Sequence, residues 1–251
     1  MTLVSRWKKA AFAAGAAAAM VAATAVVPTV AHADPARHYY VELGGTGAAA
    51  PSPDCTRSYG FANKHLNGGI PVPVCYPASA GPWLNGQNSP DLSAPSFDAS
   101  VQAGYQNLLA AAEATHRKDP GARLTIVGYS QGAQAADQVL QKIASGGTGI
   151  PRSQVNGMLY SDPMQPGTGI WAKLPKGWSA LGFTSPGAGP AKFDGVPVQR
   201  FCIRTDGVCD ATSLASVGGF LVQHPKYGQE GDIMTKTIGN DGGEGVVWYD
   251  S

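Results

Sequence analysis

Leu124-Thr-Ile-Val127 runs directly into Gly128-Tyr-Ser-Gln-Gly132, and Ala133 to Ile143 then continues without glycine or proline. Four apolar or β-branched residues suit a short buried strand, and Ala136, Leu140 and Ile143 recur at helical spacing. A strand that becomes a helix within five residues needs glycine where the two backbones approach. Such a turn leaves Ser130 at its apex with an exposed hydroxyl. The helix begins right after the serine, so its first free N–H groups, that of Gln131 among them, face any negative charge developing beside Ser130. A serine nucleophile and an oxyanion site are thereby outlined.

The flanking sequence supplies a sheet for this turn. His38-Tyr-Tyr-Val-Glu-Leu43, Ile70 to Tyr76, Val155-Asn-Gly-Met-Leu-Tyr160 and Val198-Gln-Arg-Phe-Cys-Ile203 read as further strands. Between them, Phe97, Val101, Tyr105, Leu108, Leu109 and Ala112 fall on one helical face, with Ser96 or Asp98 to cap its start and Pro120-Gly121 to end it. Strands alternating with helices predict a parallel α/β sheet with helices on both faces and active residues at the carboxyl ends of the strands. Val246-Val-Trp-Tyr249 reads as a last apolar strand or strap.

Residues 1–33 have the form of an export signal. Arg6, Lys8 and Lys9 precede an Ala- and Val-rich run to Val30, and Ala31-His-Ala33 is a small-x-small cleavage site. The run is too rich in alanine for a permanent span, so cleavage after Ala33 is favoured over a membrane anchor. Residues 34–251 are then one domain, secreted or held in the cell envelope, with no stable membrane span after processing. Removing those three basic residues from 18 leaves 15 against 17 acidic ones, a formal −2. That charge offers no footprint for nucleic acid.

The four cysteines, Cys55, Cys75, Cys202 and Cys209, all lie in the exported part. An even number in an oxidising compartment predicts two disulfides, and pairing Cys55 with Cys75 and Cys202 with Cys209 closes the two shortest loops. A zinc site fits poorly, because no C-x-x-C pair or neighbouring histidine gives the usual ligand spacing. Gly45-Thr-Gly-Ala-Ala-Ala50 matches a dinucleotide fingerprint, but Pro51 and Pro53 leave no room for the helix it requires. A Gly-rich loop after an early strand instead suits a second oxyanion donor, with Thr46 the candidate. Neither a metal nor a cofactor is expected.

Ser130 needs a base. In the chain order nucleophile, acid, base, the base follows the serine, and of His38, His65, His116 and His224 only His224 does. The acid has two strong candidates, Asp162 and Asp206, each just past a strand end; Asp194 and Asp210 are weaker ones. Asp206 lies inside the Cys202 to Cys209 loop, which would fix a carboxylate that orients the histidine. Asp162 precedes Pro163 and equally suits a turn.

Gly128-Tyr-Ser-Gln-Gly132, Cys202-Ile-Arg-Thr-Asp-Gly-Val-Cys209 and His224-Pro-Lys-Tyr-Gly228 resemble the three motif blocks of the cutinase family of serine esterases. Gly45-Thr-Gly47 and Ser161-Asp-Pro-Met-Gln-Pro-Gly167 resemble the related PE-PPE hydrolase domain of actinobacteria. The resemblance covers most of residues 38–230. It implies an α/β-hydrolase fold of cutinase-like type, with a central, mainly parallel sheet and helices on both faces. It also implies a Ser130, Asp206, His224 triad, favouring Asp206 over Asp162. The expected activity is hydrolysis of short- to medium-chain acyl esters of small molecules or lipids through an acyl-enzyme. Acyl transfer to a sugar or lipid hydroxyl by the same triad, or a cell-envelope binding role without turnover, are the alternatives. Residues 163–197 carry Trp171, Leu174, Trp178, Leu181 and Phe183 among glycines and prolines. Long loops at strand ends commonly build a site, so Trp171, Leu174 and Trp178 are expected to form an apolar substrate-binding wall over Ser130.

Overall fold

The structure, a computed structural model, describes residues 36–48, 55 and 57–250. The expected signal sequence and its cleavage site lie outside these residues. Six strands form one parallel sheet: β1 (His38–Leu43), β2 (Ile70–Pro73), β3 (Arg123–Tyr129), β4 (Val155–Tyr160), β7 (Val198–Ile203) and β8 (Gly245–Tyr249). A separate two-stranded ribbon is made by β5 (Ser179–Ala180) and β6 (Phe183–Thr184). The helices are α1 (Phe97–Lys118), α2 (Gln131–Ala144), α3 (Ala215–Val222) and α4 (Ile233–Thr237).

Sheet order is β2-β1-β3-β4-β7-β8. The chain steps from β1 outward to β2, then crosses back over β1 to β3, so β1 and β3 flank the point where the winding reverses. A right-handed crossover puts the connections made in opposite directions on opposite faces of the sheet. α1 and α2, which lead into and out of β3, accordingly share one face, while the β1–β2 connection covers the other with the 3₁₀ turn Ala62–His65. At such a reversal the carboxyl ends of the strands leave a crevice, where open α/β sheets bind ligands.

Alternation along the strands builds a core on each face. Val41, Leu43, Leu124, Ile126 and Leu159 pack with Ala133, Ala136 and Leu140 of α2 and with Val101 and Leu108 of α1. Tyr40, Val127, Met158, Tyr160, Phe201 and Ile203 pack the opposite way, against Tyr59, Leu66, Tyr227 and the apolar residues Ile233 and Met234 of α4. Ser96 caps α1 by accepting from the Ala99 N–H at 3.2 Å, the role expected of it. Disulfides join Cys55 to Cys75 and Cys202 to Cys209, the two local pairings. The expected last strand is β8, an edge strand parallel to β7. The loop before it is anchored by Asp241, whose carboxylate accepts from Tyr40 Oη at 3.0 Å, Arg123 Nη2 at 2.9 Å and Asn156 Nδ2 at 2.5 Å. The glycine-rich tail is thus tied to the amino ends of β1, β3 and β4. Among the described residues, no helix is long and apolar enough to cross a membrane.

Candidate active site

Register sets which residues meet above the sheet. Leu43 of β1 pairs with Gly128 of β3, Tyr129 pairs with Tyr160 of β4, and Tyr160 pairs with Phe201 of β7. The residues that follow these strands therefore share one edge of the sheet: Gly44 to Thr46, Ser130, Ser161 and the loop holding Asp206. Ser130 sits between β3 and α2 with φ 55° and ψ −119°, a left-handed conformation that a serine adopts only at a cost of about 1–3 kcal/mol. Two glycines make this turn possible. A Cβ on Gly128 would lie 2.6 Å from Ala136 Cβ, and one on Gly132 would collide with the carbonyl oxygens of Leu43 and Gly44. Strand, turn and helix are pressed together as the sequence requires.

Gln131 is the first residue of α2, and its side chain is buried and held at both ends. Its Oε1 accepts from Ser100 Oγ at 3.0 Å and its Nε2 donates to the Ser79 carbonyl at 2.8 Å. The start of the helix is thereby fixed against α1 and the 78–80 turn. On the other side of Ser130, the Gly44 carbonyl accepts from Tyr76 Oη at 2.6 Å and Gly47 N–H donates to Ala78 O at 2.8 Å, which holds the loop carrying Thr46.

His224 opens a single 3₁₀ turn, His224–Lys226, directly followed by Pro225. Its Nε2 is 2.8 Å from Ser130 Oγ, and its Nδ1 is 3.1 Å from each carboxylate oxygen of Asp206. The ring stacks on Tyr129, with centroids 5.1 Å apart, and Phe220 of α3 covers it at 5.0 Å. Tyr129 Oη also donates to the His224 carbonyl at 2.5 Å, so the residue before the serine positions both ring and backbone of the histidine. With Nδ1 facing a carboxylate, the ring proton belongs on Nδ1 and Nε2 is free to accept from the serine.

Asp206 is fully buried in the loop closed by Cys202 and Cys209. Burial by itself raises its carboxyl, but the hydrogen bond and charge of His224, the Ser161 hydroxyl and the Val208 N–H act the other way. Together they hold it below the ordinary aspartate value. Asp162, the other strong acid candidate, is also buried but turned away: its Oδ2 accepts from Arg200 Nε at 2.7 Å and its Oδ1 from the Met164 N–H at 2.9 Å. Arg200, itself buried, also donates from Nη2 to Asp137 of α2 at 2.6 Å. Asp194 pairs with Arg152 at the surface, and Asp210 accepts from the Thr205 N–H.

Ser130 and His224 open on a cleft of about 690 Å³, whose lining includes Thr46 and Gln131. Its apolar lining includes the ring cluster of Phe97, Trp171 and Phe183 together with Ala80, Leu84 and Phe61, while Phe220 and Pro225 line it beside His224. Of the three residues expected to form the apolar wall, only Trp171 lines the cleft. Trp178 is 46% exposed beside the β5–β6 ribbon, and Leu174 packs against the core under α1 and α2. Trp171 Nε1 donates to Gln134 Oε1 of α2 at 2.7 Å, which holds that ring against the helix that follows Ser130. Phe97, Ala80 and Phe183 take the places assigned to them. The sequence signal for Phe97 was the core stripe of α1, which gives no hint of a cleft. Among the described residues, no group of three or more histidine, cysteine, aspartate or glutamate side chains could hold a metal ion.

With this geometry in hand, comparison with known proteins gives a family. The PE-PPE domain family model matches residues 68–215, a span that contains Ser130, Ser161 and Asp206 and ends before His224. An uncharacterized PPE family protein of Mycobacterium tuberculosis is 25% identical over 199 residues, covering 74% of this chain; the chain spans only 28% of that relative's length. Among solved structures, a cutinase-like protein from Cryptococcus sp. superposes with a TM-score of 0.53 at 20% identity, covering 81% of this chain and 91% of that one. The catalytic core domain of an acetyl xylan esterase from Trichoderma reesei gives 0.48 at 23% identity, covering 81% and 98%. The parallel sheet with its covering helices is the cutinase-like α/β-hydrolase fold.

Proposed function

The chain belongs to the PE-PPE domain family, and from that premise we propose that it is a serine carboxylesterase, acting on short- to medium-chain acyl esters of apolar alcohols or lipids. The observation that carries the reading is the 2.8 Å approach of His224 Nε2 to Ser130 Oγ, with Nδ1 on the buried carboxylate of Asp206, at the mouth of an apolar cleft. His224 takes the Ser130 proton as Oγ attacks the ester carbonyl. Asp206 keeps the ring in the tautomer with Nε2 bare and stabilises the imidazolium that forms. The N–H groups of Gln131 and Thr46 receive the oxyanion, each worth about 3 kcal/mol at the transition state.

The tetrahedral adduct collapses as Nε2 returns its proton to the leaving alkoxy oxygen, and the alcohol departs. Water then adds to the acyl-Ser130 ester with His224 again as base, and the acid is released with Ser130 restored. Two disulfides support an oxidising compartment, and export with cleavage after Ala33 completes the reading. A fluorophosphonate probe followed by peptide mapping tests it. Ser130 alone should be labelled, and Ser130→Ala should lose labelling together with about 10⁴-fold or more of p-nitrophenyl butyrate hydrolysis. Labelling at another serine, or undiminished hydrolysis by the variant, rejects the assignment.

A further inference from the structure

Ser161 follows β4 and is fully buried, yet its hydroxyl touches two members of the Ser130, His224, Asp206 array. Its Oγ is 2.5 Å from Asp206 Oδ2 and 3.0 Å from His224 Nδ1. We propose that Ser161 is a positioning residue of this site, donating to Asp206 and accepting from the Nδ1–H of His224. Its effect on turnover rests on the esterase reading above.

Counting protons fixes these directions. A carboxylate oxygen only accepts, so the single hydroxyl hydrogen of Ser161 points at Asp206 Oδ2. With Nε2 bare toward Ser130, the imidazole carries its one proton on Nδ1, and the lone pairs of Ser161 Oγ face it. That proton then has three acceptors at nearly equal distance, two from Asp206 and one from Ser161. When His224 takes the serine proton, the positive charge at Nδ1 meets the hydroxyl dipole as well as the carboxylate. The donation to Oδ2 also adds to the bond and charge of His224, the larger causes, in holding the Asp206 carboxyl below its ordinary value against burial.

The residue is built into place rather than left to choose a rotamer. Ser161 has φ 50°, unusual for a buried non-glycine residue, and its N–H donates to the Phe201 carbonyl at 2.9 Å. The next residue, Asp162, is held by Arg200, which also grips Asp137 on α2. One buried cation therefore ties the Ser161 turn to the helix that follows Ser130. A buried ion pair adds little net stability, and fixing a geometry is its better-attested use.

The test compares Ser161→Ala with Ser161→Gly. Both lack the hydroxyl, but glycine accepts φ 50° without strain, so the pair separates a lost hydrogen bond from a disturbed backbone. Two readouts are taken: kcat and KM on p-nitrophenyl butyrate, and the low-field proton resonance of His224 Nδ1–H, identified by its loss in His224→Gln. In both variants kcat should fall about tenfold with KM within about twofold, the size expected for one hydrogen bond to ionised groups. The Nδ1–H resonance should also move in both. An unmoved resonance, an unchanged kcat, or activity lost in the alanine variant and restored by glycine overturns the proposal. A wild-type protein that turns over no ester, but whose resonance moves when Ser161 is replaced, would sink the esterase reading and leave the positioning contact standing.

Discussion

Glu42 and Asp206 are both buried carboxylates, and their surroundings push them in opposite directions. Asp206 gains enough donors to outweigh burial and sits below its ordinary value. Glu42, on β1, accepts from Asn63 Nδ2 at 3.0 Å, and among the described residues its Oε1 has no partner. Burial wins there and raises the carboxyl to about 8. The signs for stability follow. The contribution from Asp206 is present above its unfolded value and is lost as pH falls through its lowered folded value. The contribution from Glu42 is present below its unfolded value of 4.5 and is lost as pH rises through about 8. Between pH 5 and 9 the wild type should therefore lose roughly 4 kcal/mol of stability that Glu42→Gln does not lose. Urea unfolding of the two proteins at both pH values measures the difference, and parallel pH profiles would mean that Glu42 is ionised in the folded protein.

At the level of elements, the Cys202 to Cys209 loop is where geometry and stability separate. In the chain-entropy view its closure contributes about 2.5 kcal/mol, against about 3 kcal/mol for Cys55 to Cys75, so loss of either should lower the melting temperature to a similar extent. Only the former encloses Asp206. Replacing Cys202 and Cys209 by serine should lower kcat far more than replacing Cys55 and Cys75, and equal kinetic effects would show that the loop holds Asp206 without its bridge. This loop was legible in advance because two cysteines and an acid close together in sequence carry their meaning locally. The same holds for β1, β3, β4 and β7, whose apolar runs span the strands found, and for the turn around Ser130. What escaped was set by distant contacts. Trp171 and Trp178 are the same residue type in one loop, and the structure places only Trp171 at the cleft, where its ring donates to Gln134 on α2. Ser161 was visible as part of a motif, but its link to Asp206 joins the ends of two different strands and leaves no periodic trace.

For the molecule as a whole, the winding reversal between β1 and β3 leaves the crevice, and the two sheet faces give its two sides different linings. On the proposed mechanism His224 protonates the leaving oxygen, which would release the alcohol on its side, where Phe220 and Pro225 line the cleft. The same mechanism would direct the acyl chain toward the α1 and α2 side. There Phe97 stacks on Phe183 at 4.7 Å and meets the edge of Trp171 at 6.1 Å, an apolar end wall drawn from α1, β6 and the loop after β4. Shortening that wall should admit longer chains. Phe183→Ala and Trp171→Leu, checked for folding because truncating a buried ring costs about 3–5 kcal/mol, should each shift the preferred p-nitrophenyl ester toward longer acyl groups. Trp178→Ala, outside the cleft, should keep the wild-type profile. If the two cleft variants also keep it, the aromatic cluster is packing alone and the acyl chain lies on the histidine side.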